Sequence, residues 1–184
     1  MATLGAAIGA EIRGVDVADL NDAAAAEIKD ALYHHKMIYF RDQDISHTDQ
    51  ENFTQHFGEF GKDAYTPGVD GHPEVQPVLK EAESKVHMIF GGAWHTDSPF
   101  LDRPPAITIL FGKDIPPFGG DPMWANSALA YDFLSDTMKK TLSKLRVHMS
   151  ARTVLAEVKK GAEKFGEKSL GGTPLQFDSE PMIA

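Results

Sequence analysis

The run Ala106–Phe111 (AITILF) is the strongest strand signal in the chain, and proline pairs at 104–105 and 116–117 frame it. Met37–Phe40 is a second continuous apolar run, which is typical of a buried strand. The strand signals are short and separated by loops, with neither a regular βαβ alternation nor a G-x-G-x-x-G motif. The sequence therefore predicts a mixed α/β fold, with a mainly antiparallel β core and helices around it.

Weaker sequence patterns predict the secondary structure of the rest of the chain. They predict further strands in Ile8–Val17 (broken by Gly14), Val75–Leu79, Val86–Phe90 and Met123–Ala125. Cap residues and apolar spacing predict helices from Asn21 or Asp22 to about His34, from Ser46 to Gly58, and over 127–134, 135–145 and 153–165. The last twenty residues are predicted to be loop.

Composition narrows the function classes. The chain has 184 residues, with 18 Lys+Arg against 27 Asp+Glu and a formal charge of −9, which argues against a nucleic-acid partner. No apolar run is long enough for a membrane span and no basic secretion signal opens the chain, so a cytoplasmic protein is expected. Because there is no cysteine, any metal must be held by His, Asp or Glu.

The tripeptide His95-Thr96-Asp97 is the sharpest chemical feature. In an extended segment, residues i and i+2 project from the same face, so an imidazole nitrogen and a carboxylate oxygen would lie side by side. Two such ligands and a distant histidine form the facial triad of non-haem Fe(II) oxygenases, which leaves coordination positions open for a keto acid and O2. The motif is short, however, and a hydrogen-bonded loop histidine paired with Asp97 is the simpler interpretation of it.

Several ordered motifs resemble the taurine dioxygenase family of Fe(II)- and 2-oxoglutarate-dependent dioxygenases. The resemblance covers roughly residues 4 to 150 and rests on the segments Leu4–Asp16, Ile38–Gln43, Phe57–Glu59, Gly92–Asp97, Phe100, Arg103–Ala106, Gly119–Asp121 and Trp124. It implies a double-stranded β-helix, or jelly roll, with surrounding helices.

The same resemblance implies a site. It makes His95 and Asp97 two of three iron ligands, and it places Tyr65, Phe100 and Trp124 at the substrate pocket. For Tyr65 and Trp124, ordinary core packing is an equal alternative.

By this resemblance the protein is an enzyme with Fe(II) as cofactor and 2-oxoglutarate as co-substrate. With O2 it would hydroxylate a small organic substrate, such as a sulfonate, a sulfate ester or another anion, and release succinate and CO2. The expected partners are these small molecules; a homo-oligomer is compatible with the sequence.

The chain departs from the family pattern in ways that leave alternatives open. The family's third ligand and its 2-oxoglutarate-binding arginine lie further downstream, and His148 does not occupy the ligand position in this register. Residues 1–184 are therefore expected to be a single dioxygenase domain truncated at its C-terminus, with a jelly roll that is incomplete. Pro122 also stands where the family commonly has a threonine that contacts the keto acid.

Three alternatives to the dioxygenase remain. The first is a non-catalytic or fragmentary dioxygenase-fold protein that does not complete its metal site. The others are a metal hydrolase, for which no H-E-x-x-H motif is present, and a plain binding module.

Overall fold

A computed structural model describes residues 1–62, 66–85 and 91–166, together with the backbone of 169–170 and 173–174. The chain divides into two units: Met1–Glu59 with Ile109–Arg146, and Phe60–Thr108 with Val147–Ala184. Among the described residues, no helix is both long enough and apolar enough to cross a membrane.

A three-stranded sheet organises the first unit. It consists of β1 (Ala2–Thr3), β2 (Ala10–Ile12) and β3 (Ile38–Phe40) in the order β1-β2-β3. The β1–β2 pair is antiparallel and the β2–β3 pair is parallel. A helix connects β2 to β3, and such a crossover is what allows neighbouring strands to run parallel. The predicted mixture of helix and sheet is confirmed, but this sheet is mixed rather than purely antiparallel.

Helix α1 (Asp22–His35) begins and ends at residues that the sequence indicates. The Asn21 side chain accepts a hydrogen bond from the Ala24 N–H at 2.9 Å. At the other end Lys36 adopts a left-handed conformation with φ 66°, and its N–H donates to the Leu32 carbonyl at 2.7 Å. Ala25 and Ile28 are buried, so α1 contributes its apolar face to the core of this unit.

Helix α2 (His47–Gln55) has a complete capping box. The Ser46 hydroxyl accepts from the Asp49 N–H, and the Asp49 carboxylate accepts from the Ser46 N–H at 2.8 Å. Phe53 is buried and meets Phe40 edge-on, with the ring centroids 5.7 Å apart. This contact anchors α2 to β3.

A nearly buried carboxylate on β2 is compensated by cations. The Glu11 carboxylate accepts a hydrogen bond from Arg13 at 2.8 Å and lies 3.6 Å from the Arg41 guanidinium. The Tyr39 hydroxyl donates to the same carboxylate at 3.4 Å. The Arg13 hydrogen bond, followed by the charges of Arg13 and Arg41, lowers the pKa of Glu11 below its ordinary value, against the opposing effect of burial.

Two short helices complete the first unit, α3 (Ser127–Asp132) and α4 (Asp136–Leu142). Each begins at a capped N-terminus, with the side chain of Asn126 or Ser135 accepting a backbone N–H. Neither helix buries a residue. Asn126 also donates to the Ala7 carbonyl at 2.7 Å, which links this segment to the N-terminal one.

The second unit contains helix α5 (Arg152–Phe165) and a small hairpin. Phe100, Leu101 and Ala151 are buried together, and Leu155 of α5 packs against them. The hairpin pairs β4 (Ser169–Leu170) with β5 (Thr173–Pro174) antiparallel. The loop prediction for the last twenty residues is therefore wrong at these four positions.

Three of the predicted strands are wrong in the part of the chain that the structure describes. Ala106–Phe111, Val75–Leu79 and Met123–Ala125 have no strand assignment, and Val86–Phe90 lies outside the described residues. In 106–111 the exposure still alternates, with Ile107, Ile109 and Phe111 half-buried and Thr108 and Leu110 exposed. The alternation in the sequence therefore predicts correctly which side chains of this run are half-buried and which are exposed. A strand also needs a hydrogen-bonded neighbouring strand, which this alternation does not specify.

Candidate metal site

His95 and Asp97 lie in an irregular segment of the second unit, and their side chains meet. His95 Nε2 is 3.2 Å from Asp97 Oδ1. Their side chains are 53% and 41% exposed, so neither is buried. The i, i+2 spacing predicts this adjacency, although the segment is a loop and not a strand. Ser98, with φ 43°, turns the chain immediately after the pair.

The backbone fixes which imidazole nitrogen is available. His95 Nδ1 lies 2.7 Å from the Ala93 carbonyl oxygen. Because a carbonyl only accepts, Nδ1 carries the proton in this contact, and Nε2 is left facing the carboxylate. A metal-ligating histidine typically donates its other N–H to such a carbonyl.

Asp97 has a matching arrangement. The Thr108 hydroxyl donates to Asp97 Oδ2 at 2.5 Å, so the oxygen that faces His95 is Oδ1. Each side chain of the pair therefore uses its outer atom for a hydrogen bond and leaves its inner atom toward the other.

This donor set fits a divalent metal ion. An imidazole nitrogen and a carboxylate oxygen are two of the ligand types of the 2-His-1-carboxylate triad. Two neighbouring ligands at about 2.1 Å from an octahedral ion lie about 3 Å apart, close to the 3.2 Å between His95 Nε2 and Asp97 Oδ1. With the proton on Nδ1, the Nε2 lone pair and the Asp97 Oδ1 lone pairs face each other, an arrangement that a bound cation would satisfy.

Among the described residues, His95 and Asp97 bring together two of the donor types that a facial triad uses. Over 1–62, 66–85 and 91–166, no group of three or more His, Cys, Asp or Glu side chains converges on one point. His148, which the sequence already disfavours, is exposed and does not join the pair.

The three predicted pocket residues have different environments. Phe100 is 7% exposed and belongs to the apolar cluster with Leu101 and Ala151. Trp124 is 50% exposed in an irregular segment of the first unit. Tyr65 lies outside the described residues. Their assignment to a substrate pocket stays a prediction.

Thr108 is the residue of this site that sequence reasoning missed. It lies eleven positions after Asp97, inside a run that is predicted only to be a strand. The one available signal is that Thr108 is the single polar side chain in the apolar run 106–111.

The loop geometry and its donor pair define a candidate mononuclear non-haem metal site, and comparisons with known proteins point to the same class. The sequence profile of the family described as "Taurine catabolism dioxygenase TauD, TfdA family" matches residues 2–173. The chain therefore belongs to this family, whose characterised members are 2-oxoglutarate-dependent non-haem iron dioxygenases.

Two curated relatives show the degree of similarity. An alkylsulfatase of Acinetobacter baylyi is 36% identical over 140 residues, which are 75% of this chain and 43% of the relative. An alpha-ketoglutarate-dependent sulfate ester dioxygenase of Pseudomonas putida is 37% identical over 142 residues, 75% of this chain and 45% of the relative. The chain thus spans a little less than half the length of these relatives.

A solved structure supports the same assignment. The crystal structure of a taurine dioxygenase from Burkholderia xenovorans superimposes with a TM-score of 0.68 at 35% identity. The match covers 82% of this chain and 54% of that one.

Proposed function

We propose that the chain is part of an Fe(II)- and 2-oxoglutarate-dependent dioxygenase, and that His95 and Asp97 are two of its iron ligands. The observation that carries the proposal is the convergence of His95 Nε2 and Asp97 Oδ1 at 3.2 Å, with the outer atom of each side chain already hydrogen-bonded. Membership of the family supports it independently.

In this proposal the protein's residues have defined tasks. His95 provides a neutral imidazole through Nε2, and Asp97 provides one negative charge through Oδ1. Bound Fe(II) with 2-oxoglutarate supplies the chemistry, oxidation of a C–H bond by O2 coupled to release of succinate and CO2. A third ligand and a cationic partner for the 2-oxoglutarate carboxylate complete such a site; we place both outside the described residues.

Residues 1–184 then belong to one dioxygenase domain, and the part of it seen here contributes to a jelly roll. The three-stranded sheet, the capped helices and the TM-score of 0.68 support this. The run 106–111 alternates between half-buried and exposed positions and has no strand assignment, which suits a strand whose ladder partner lies elsewhere in that domain.

For the substrate we propose a small organic sulfate ester or sulfonate. The names of the two relatives refer to an alkylsulfatase and a sulfate ester dioxygenase, and the family match over residues 2–173 includes His95 and Asp97. The net charge of −9 does not oppose this, because recognition of a small anion depends on a few local cations.

Anaerobic titration with Fe(II) and 2-oxoglutarate tests the proposal. The chelate produces a weak visible charge-transfer band only when both bind to the protein. We expect His95→Ala and Asp97→Ala to remove the band, and in a complete domain to abolish Fe(II)-dependent succinate formation. His148→Ala is the matched control, since it deletes an exposed histidine of the same unit.

Each outcome discriminates between functions. A band that persists in both His95→Ala and Asp97→Ala contradicts the assigned ligands. A wild-type chain that forms no band, alone or in a complete domain, supports a non-catalytic protein of dioxygenase fold. Succinate release stimulated by an alkyl sulfate or alkyl sulfonate, but not by the corresponding alcohol, would establish the substrate class.

A further inference from the structure

We propose that Thr108 is a positioning residue of the metal site: its hydroxyl holds the Asp97 carboxylate so that Oδ1 is presented beside His95 Nε2. The inference rests on the proposed function, because it assigns Thr108 a role toward the metal ion. It extends that function to a residue eleven positions from the ligand motif.

The contact is short and charge-assisted. Thr108 Oγ1 lies 2.5 Å from Asp97 Oδ2, within the distance range of O–H···O⁻ hydrogen bonds, which are about twice as strong as neutral ones. Thr108 is exposed and the Asp97 side chain is 41% exposed, so this bond restrains a carboxylate that solvent reaches.

Asp97 needs such a constraint because its two oxygens are chemically equivalent. The terminal torsion of an aspartate is broad and roughly two-fold, so an unrestrained carboxylate presents either oxygen in a range of orientations. With Oδ2 engaged by Thr108, the oxygen left for the 3.2 Å approach to His95 is Oδ1. Metal binding then requires less loss of side-chain freedom.

The fold around Thr108 suits this task. Threonine is β-branched and therefore stiff at χ1, which gives the hydroxyl a defined direction. Its neighbours Ile107 and Ile109 are half-buried, whereas Thr108 lies on the exposed face of the run.

The arrangement is the counterpart of the one at the other ligand. The Ala93 carbonyl orients the His95 imidazole, and the Thr108 hydroxyl orients the Asp97 carboxylate. Loss of an outer partner of this kind typically costs about 10- to 100-fold in metal affinity.

The test is the affinity of the full chain for Mn(II), a divalent ion that carboxylate and imidazole ligands accept and whose unbound fraction electron paramagnetic resonance measures directly. We expect Thr108→Val, which keeps the shape and removes the hydroxyl, to raise the Kd for Mn(II) about tenfold. Thr108→Ser keeps a hydroxyl and should restore binding to within about threefold of wild type.

Two further variants calibrate the measurement. Thr141→Val is the matched control, because it removes a threonine hydroxyl that bonds the Thr137 carbonyl within α4, and it should leave the Kd unchanged. His95→Ala should weaken binding more than Thr108→Val does. Far-UV circular dichroism of each variant establishes that it is folded, and Thr108→Ser provides a second test if the valine variant is not.

The outcomes separate the two proposals. If His95→Ala weakens binding and Thr108→Val does not, Thr108 is not a positioning residue and the proposed ligands stand. If Thr108→Ser loses as much affinity as Thr108→Val, the hydroxyl is not the operative group and the inference is overturned. If His95→Ala binds Mn(II) as wild type does, the proposed function fails, and the inference with it.

Discussion

Two regions of the first unit differ in how their helices are stabilised. In Met1–Glu59 the helices pack on a sheet, and the buried apolar side chains of this region are Ala10, Val17, Ala25, Ile28 and Phe53. In Ile109–Arg146 the helices α3 and α4 bury nothing, and Phe118 and Phe133 are 85% and 82% exposed. Yet the helices of both regions have side-chain N-caps.

The two regions show that a helix can form without being buried. A cap is a local feature, since the N-cap side chain and the amide it accepts from lie within three residues. Burial requires a second element, and most helical stability in proteins comes from such packing. The region Ile109–Arg146 has capped helices without such packing.

The two regions should differ most in how much the free energy of unfolding falls when an apolar side chain is truncated to alanine. Ile28→Ala removes buried methylenes from α1 and should lower the free energy of unfolding by about 2–5 kcal/mol. Phe133→Ala removes a larger but exposed side chain and should change it by less than about 0.5 kcal/mol. Urea unfolding followed by circular dichroism measures both, and equal losses would show that the second region has a core of its own.

A smaller contrast should come from deleting N-caps. Ser46→Ala removes half of a capping box on a packed helix and should cost about 1 kcal/mol of global stability. Ser135→Ala removes the corresponding bond to the Met138 N–H, but α4 is not packed, so we expect faster amide exchange in α4 alone. If the urea midpoint fell as much for Ser135→Ala as for Ser46→Ala, α4 would contribute to global stability as much as α2 does, which would contradict this account.

The smallest expected effect is the loss of stability at low pH that results from protonation of Glu11 in Met1–Glu59. Its pKa is lowered in the folded state by the Arg13 hydrogen bond, so the ionised form stabilises the fold. This stability is fully present above the ordinary value of 4.5 and is lost as the pH falls through the lower folded-state pKa. Both arginines are largely exposed, and solvent therefore weakens the effect.

Glu11→Gln provides the check on this acid sensitivity. Thermal midpoints measured from pH 6 down to pH 3 should fall less steeply for Glu11→Gln than for wild type. A parallel pair of curves would mean that Glu11 does not contribute to the acid dependence.

The sequence predicts the helices of this protein well because their signals are local. Asn21, Ser46 and Ser135 each cap a helix that begins where the sequence indicates. The strands are harder, since pairing joins residues distant in sequence. Ala106–Phe111 has the right alternation and no strand assignment, whereas the pairing of β4 with β5 falls in a stretch predicted to be loop.

In the candidate site, too, the sequence predicts the local contact but not the contact between residues distant in sequence. The neighbouring positions of His95 and Asp97 follow from their spacing, and the contact at 3.2 Å agrees with it. The Thr108 hydrogen bond spans eleven residues, and no short motif reports it. Ser98 adopts φ 43°, a backbone conformation that is uncommon for serine. The sequence around Ser98 does not predict this turn.

The most direct test of the central claim, that His95 and Asp97 bind the metal, is to locate the bound ion. Substoichiometric Mn(II) broadens the amide resonances nearest to it in the nuclear magnetic resonance spectrum. We predict that the signals of residues 93–98 and of Thr108 broaden first in the wild-type chain, and that Asp97→Ala removes this selectivity. The chain also contains a competing imidazole pair in α1, His34 and His35, whose ring centroids are 4.6 Å apart. Broadening centred on that pair, or spread evenly over the chain, would contradict the account.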